Sequence, residues 1–184
     1  MSSSISTEQS TTKPASSVNR MSLSISVPPR TYTKISPSDL KTLLQNESNA
    51  SKCHNILIDV RDDDIKGGVV IGSIHLPAFT FEKSGIDTLE KILKSDKYAS
   101  VENVIFTSMY SSNRAPNCSS FFTQWMEKEL GERKYNVFIV SSGLTGVLKE
   151  WGKDSDLIEN YDSDKWNEEL GMYKDDLPLT FPGK

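Results

Sequence analysis

Apolar positions along the chain follow two alternating rhythms. "NILIDVR" (55–61), "NVIFTS" (103–108) and "NVFIVSSG" (136–143) are short, β-rich runs edged by polar residues, which predict buried strands. "VVIGSIHLP" (69–77) predicts another strand, closed by a proline. Between these runs the spacing turns helical. Leu40, Leu43 and Leu44 follow the capped start Ser36–Pro37–Ser38 and predict a short helix. Ile86, Leu89, Ile92 and Leu93 share one face over 86–94, and 144–151 predicts a further short helix. Residues 115–130 predict a longer one, with Phe121, Phe122, Trp125 and Met126 as its core stripe. Strands that alternate with helices predict an α/β domain: a mainly parallel central sheet with helices on both faces.

In open parallel sheets, sites form at the carboxyl ends of the strands. At one such end "NVIFTS" runs into Ser108, Met109, Tyr110, Ser111, Ser112, Asn113 and Arg114, just before the 115–130 helix. Strand, small polar loop, arginine and helix start form a plausible anion cradle, because the first N–H groups of a helix lack partners within it.

Composition narrows the function classes. The 184 residues suffice for one domain with tails. Residues 1–30 hold 13 Ser or Thr and a single acid, Glu8, and predict a disordered arm. The domain is expected over 31–167, and an acidic tail over 168–184. Residues 152–184 carry 9 acids against 4 lysines, which leaves the preceding chain near +1 within the net charge of −4. No basic face for nucleic acid is expected. No apolar run approaches the ~18–20 residues of a membrane span. A cytoplasmic and/or nuclear home is therefore expected, with mitochondrial targeting by the acid-poor, Ser-rich start as the minor alternative. Cys53 and Cys118 give no disulfide framework, and His54 and His75 are too few for a His-rich metal site. No metal and no cofactor are expected, and oligomeric state is not legible.

Two of these stretches are familiar together. "ILIDVRDDDIKGGVVIGSIHLP" resembles the opening signature of rhodanese domains, and "VIFTSMYSSNRAP" resembles the Cys-x5-Arg loop of that superfamily's phosphatase branch. That branch includes the M-phase-inducer dual-specificity phosphatases and the small fungal tyrosine-phosphatase/arsenate-reductase proteins. The small fungal members also end in a Tyr-x4-Trp segment, here Tyr161 to Trp166. The resemblance implies a rhodanese-like single domain whose loop cups a tetrahedral oxyanion, with Arg114 as its bidentate ligand. It implies structural bonds for Asp59 and Arg61 at a strand end.

The departures from the family pattern bear on catalysis. Ser108 stands at the position of the nucleophilic cysteine, Thr107 at the preceding histidine, and Ala115 at the glycine after the arginine. Val69 replaces another family histidine. Ser142–Gly143–Leu144, with Val147 three residues on, replaces the rhodanese Gly-Gly-Phe-x-x-Trp corner. A cradle of N–H groups lowers a thiol's pKa from ~8.5 and makes a nucleophile without a separate base. A serine hydroxyl in the same cradle stays protonated unless a base adjoins it. The expectation is a catalytically impaired pseudophosphatase that binds phosphate-type oxyanions or a phosphoprotein. The alternatives are an active protein phosphatase or arsenate reductase of that family, and a non-catalytic structural interaction module.

Overall fold

A computed structural model describes residues 32–48, 52–152 and 154–169. The expected arm over 1–30, and the acidic tail beyond residue 169, lie outside the described residues.

The chain alternates strand and helix: β1 (Thr33–Ile35), α1 (Pro37–Ser48), β2 (Asn55–Asp59), β3 (Val69–Val70), β4 (Ile74–His75) and the short α2 (Ala78–Thr80). A π-helical turn, Phe81–Gly85, joins α2 to α3 (Ile86–Leu93). Then follow β5 (Asn103–Thr107), α4 (Arg114–Trp125), β6 (Asn136–Val140), α5 (Gly143–Trp151), β7 (Ile158–Glu159) and α6 (Ser163–Glu169). Five strands form one sheet in the order β1-β6-β5-β2-β4, every pairing parallel. β3 pairs antiparallel with β7 in a separate two-stranded ribbon.

Period-two alternation builds a core on each face of the sheet. Ile56, Ile58, Val104, Phe106, Val137 and Ile139 pack against α3 and α4. Leu57, Ile105 and Val140 face α1, α5, the ribbon and Trp166 on the other side. Helices therefore cover both faces, as the sequence pattern predicts. The start of α1 is a reciprocal box: Asp39 N–H donates to Ser36 Oγ (3.1 Å), and Ser36 N–H donates to Asp39 Oδ2 (3.0 Å).

Two expectations need correction. Residues 69–77 are not one strand: a turn at Gly72 splits them into β3 and β4, which join different sheets. The buried residues of α4 are Ala115, Cys118, Ser119, Phe122 and Thr123, with Met126 just past its end, whereas Phe121 is 36 % exposed and faces out. The buried face runs through Cys118, Ser119, Phe122 and Thr123, and Phe121 falls one position outside it. Residues 78–85, unassigned from sequence, form the lead-in to α3.

The Tyr161–Trp166 segment docks. Trp166 is 0 % exposed, and its indole N–H donates to Gly67 O. Gly67 has φ +100, and a Cβ there would lie 2.8 Å from the indole nitrogen, so the strap needs glycine at that point. Trp166→Ala should cost ~3–5 kcal/mol, in line with truncation of buried aromatics. Urea unfolding of the full chain checks this, and a loss below ~1 kcal/mol would mean that the strap contributes little to the fold.

Candidate active site

β5 delivers Thr107 to the carboxyl edge of the sheet, and the chain then makes a tight loop into α4. Ser108 N–H donates to Ser111 Oγ (3.3 Å), and Ser111 N–H donates to Ser108 Oγ (3.1 Å). Ser111 takes a left-handed φ of 48°, the kind of backbone strain that persists only where surroundings over-determine it. The surroundings here are the first turn of α5. Leu144 N–H donates to Ser108 O (2.9 Å) and Thr145 N–H to Met109 O (3.1 Å). Gly143 lies so close beneath that a Cβ would sit 2.5 Å from Ser108 O, and its φ is +63. Glycine at this position is what lets the loop rest on the helix.

The structure brings all seven predicted loop residues into this one turn, and divides them. Ser108, Met109 and Ser111 are buried in its floor, whereas Tyr110, Ser112 and Asn113 are exposed. Arg114, half-buried, opens α4. Asn113 precedes it without a side-chain cap, so the N–H groups of Arg114 and Ala115 receive no side-chain acceptor from that position.

Arg114 is already engaged. Its Nη1 and Nη2 donate to Asp64 Oδ1 (2.6 Å) and Oδ2 (2.5 Å), and Nη1 also reaches Asp62 Oδ2 (3.2 Å). Sequence reasoning missed both aspartates. The clue available was three consecutive acids close after a β-strand in a domain with an arginine-bearing anion loop. The Arg114 hydrogen bond holds the Asp64 carboxyl down to about 2, against partial burial, and the same bond pushes the guanidinium further up.

The aspartates are placed from behind by a buried ion pair. Arg61 Nη2 donates to Asp59 Oδ2 at 2.7 Å, with the two side chains 0 % and 2 % exposed, and also to Gly68 O at 2.9 Å. The ring Nε2–H of His75 donates to Arg61 O (2.7 Å), so that nitrogen carries a proton. Among the described residues no histidine or carboxylate hydrogen-bonds Ser108, and the hydroxyl of Thr107 is buried without a partner. Cys118 is 2 % exposed, and burial pushes its thiol up to about 12, so it offers no thiolate near neutral pH. Cys53 lies before β2, at the opposite end of that strand from Asp59. Among the described residues no cluster of His, Cys, Asp and Glu is arranged to hold a metal ion, and no helix is long and apolar enough to cross a membrane.

Parallel sheet, two covering layers and a strand–loop–helix site define a rhodanese-like fold. Ygr203w, a yeast protein tyrosine phosphatase of the rhodanese family, matches it with a TM-score of 0.64 at 20% identity, over 74% of this chain and 97% of that one. The As–Sb reductase of Leishmania major matches with a TM-score of 0.55 at 26% identity, over 77% and 97% of the two chains. In sequence, the dual specificity phosphatase ibp1 of Schizosaccharomyces pombe is 25% identical over 144 residues, which cover 70% of this chain and 97% of ibp1. No family model matches.

The ion pair makes a pH prediction. Asp64 moves from an ordinary 3.8 to about 2 on folding, so its stabilising contribution is complete above about pH 4 and is lost as pH falls through about 2. Melting temperatures between pH 5 and 2 should fall less steeply in Asp64→Asn than in the natural chain. Identical slopes would mean that the pair does not persist in solution.

Proposed function

We propose that this chain is a phosphatase-like domain of weak or absent catalytic power, which holds phosphate-type oxyanions, free or carried on a phosphoprotein, in the Ser108–Arg114 loop. The observation that carries the reading is the setting of Ser108. Its oxygen accepts one backbone N–H, from Ser111, and among the described residues no histidine or carboxylate hydrogen-bonds it. Phosphoryl transfer needs an activated nucleophile, and an alcohol needs a base to become one. Anion binding needs only donors and charge, and the loop keeps those in its backbone, in the start of α4 and in Arg114.

An active phosphatase or arsenate reductase is the second reading, favoured by what the similar proteins are called: a dual specificity phosphatase and an As–Sb reductase. It would need Ser108 activated by a group that bound substrate brings into reach.

The natural protein should show negligible turnover of an aryl phosphate and no arsenate reduction. Ser108→Cys should give a measurable but slow phosphatase rate, held back by Ala115 where the family has glycine. Turnover of ~1–10³ per second in the natural protein, abolished in Ser108→Ala, would replace the first reading with the second.

A further inference from the structure

The guanidinium that the proposed function assigns to an oxyanion has its fork filled by a carboxylate. Asp64 meets Arg114 through both oxygens, at 2.6 and 2.5 Å, and Asp62 adds a third contact at 3.2 Å. A planar fork binds one flat or tetrahedral anion at a time in this side-on geometry. We propose that Asp64, assisted by Asp62, is a specificity-determining gate: an internal anion on Arg114 that any oxyanion ligand must displace. This rests on the oxyanion reading of the loop and names the kind of ligand it admits.

Geometry sets the gate's selectivity. A carboxylate offers one negative charge and two oxygens. A monoanionic ligand of the same kind gains nothing by exchange, because Asp64 is tethered and competes at high effective concentration. A dianionic tetrahedral group such as a phosphate monoester brings more charge and a third oxygen for the loop N–H groups. The loop with its gate therefore favours phosphate-type dianions over carboxylates and other monoanions.

The structure also makes release feasible. Asp64 Oδ1 accepts Asp62 N–H (2.9 Å), and Asp62 Oδ1 accepts Phe79 N–H (3.0 Å). Both carboxylates keep a donor when Arg114 turns away, and both are part-exposed, with side chains 35% and 26% accessible. Neither becomes a buried, unpaired charge. The switch requires side-chain rotation alone.

The test is tungstate and inorganic phosphate titration of the full chain, read by calorimetry and by melting temperature. Asp64→Asn keeps the shape and the Oδ1 acceptor, and should tighten tungstate binding roughly threefold to tenfold, the range set by a part-exposed ion pair together with relief of charge repulsion. Asp62→Asn should give a smaller gain in the same direction. It is the second variant should Asp64→Asn not fold. Asp63→Asn is the charge control. Asp63 is exposed and makes no ion pair to Arg114, so its neutralisation should leave affinity within about twofold. Arg114→Ala should abolish binding in every background.

Equal gains from Asp63→Asn and Asp64→Asn would reduce the effect to general charge and overturn the gate. So would unchanged or weaker tungstate binding in Asp64→Asn, and in both cases an Arg114-dependent site would leave the oxyanion reading standing. Absence of tungstate binding in the natural chain and in both Asp→Asn gate variants would instead remove the oxyanion reading, and the gate with it.

Discussion

One buried ion pair organises the carboxyl edge of this sheet. Asp59 ends β2, the strand between β5 and β4, and Arg61 folds back onto it with Nε and Nη2 both bonded to the carboxylate. Two desolvated charges are tolerable only with near-complete pairing, and removal of one partner from such a pair typically costs ~3–5 kcal/mol. Arg61 also donates to the loop ahead, from Nη2 to Gly68 O (2.9 Å) and from Nη1 to Asp64 O (3.5 Å). That same loop seats the C-terminal strap: Gly67 O accepts from Asp162 N–H at 3.2 Å and from the Trp166 indole, and Lys165 Nζ caps Lys66 O at 2.6 Å. Strand end, aspartate loop and strap are thus fixed by one charge pair, from inside outward.

The anion loop has a separate foundation. Its floor hangs on α5 through the N–H groups of Leu144 and Thr145, and its exit is the start of α4. The N–H groups of Leu144 and Thr145 are taken up by Ser108 O and Met109 O. Those at the start of α4 belong to the backbone whatever stands at residue 108. Beside a cysteine they would lower a thiol pKa, and on the proposed reading they serve a bound oxyanion. Nucleophilicity and affinity therefore have different sources. On the proposed reading, the hydroxyl at Ser108 would limit the first, and the carboxylate at Asp64 the second.

The sequence made the sheet and the loop legible because both rest on local rules. Period-two apolar runs set β2, β5 and β6, and the parallel order follows from the helices between them. It misread 69–77 because an apolar run continues across Gly72, and no local property says that the turn sends β3 to β7, nearly ninety residues on. It misplaced Phe121 because adjacent aromatics look alike until the helix is docked. Asp62 and Asp64 escaped notice for a third reason. Their contact with Arg114 spans about fifty residues and depends on β2 and β5 lying side by side with Asp59 opposite Thr107. That register is a tertiary fact. Charge complementarity between "DDD" and the lone loop arginine hinted at it without proving it.

Rigid loops on both sides constrain how Arg114 could change partners. The aspartate loop is held by Arg61 behind and by the strap in front, so a shift of its backbone would disturb a buried ion pair and a buried tryptophan together. The anion loop is held by α5 through Gly143, where no larger residue fits. Neither backbone can swing without breaking core contacts, whereas the three side chains between them are part-exposed and, among the described residues, ion-paired only to one another. Exchange of Asp64 for an external oxyanion would then be an equilibrium of charge and geometry at one guanidinium, set by which anion offers more to Arg114 and to the loop N–H groups. No slow opening of the domain would need to precede it.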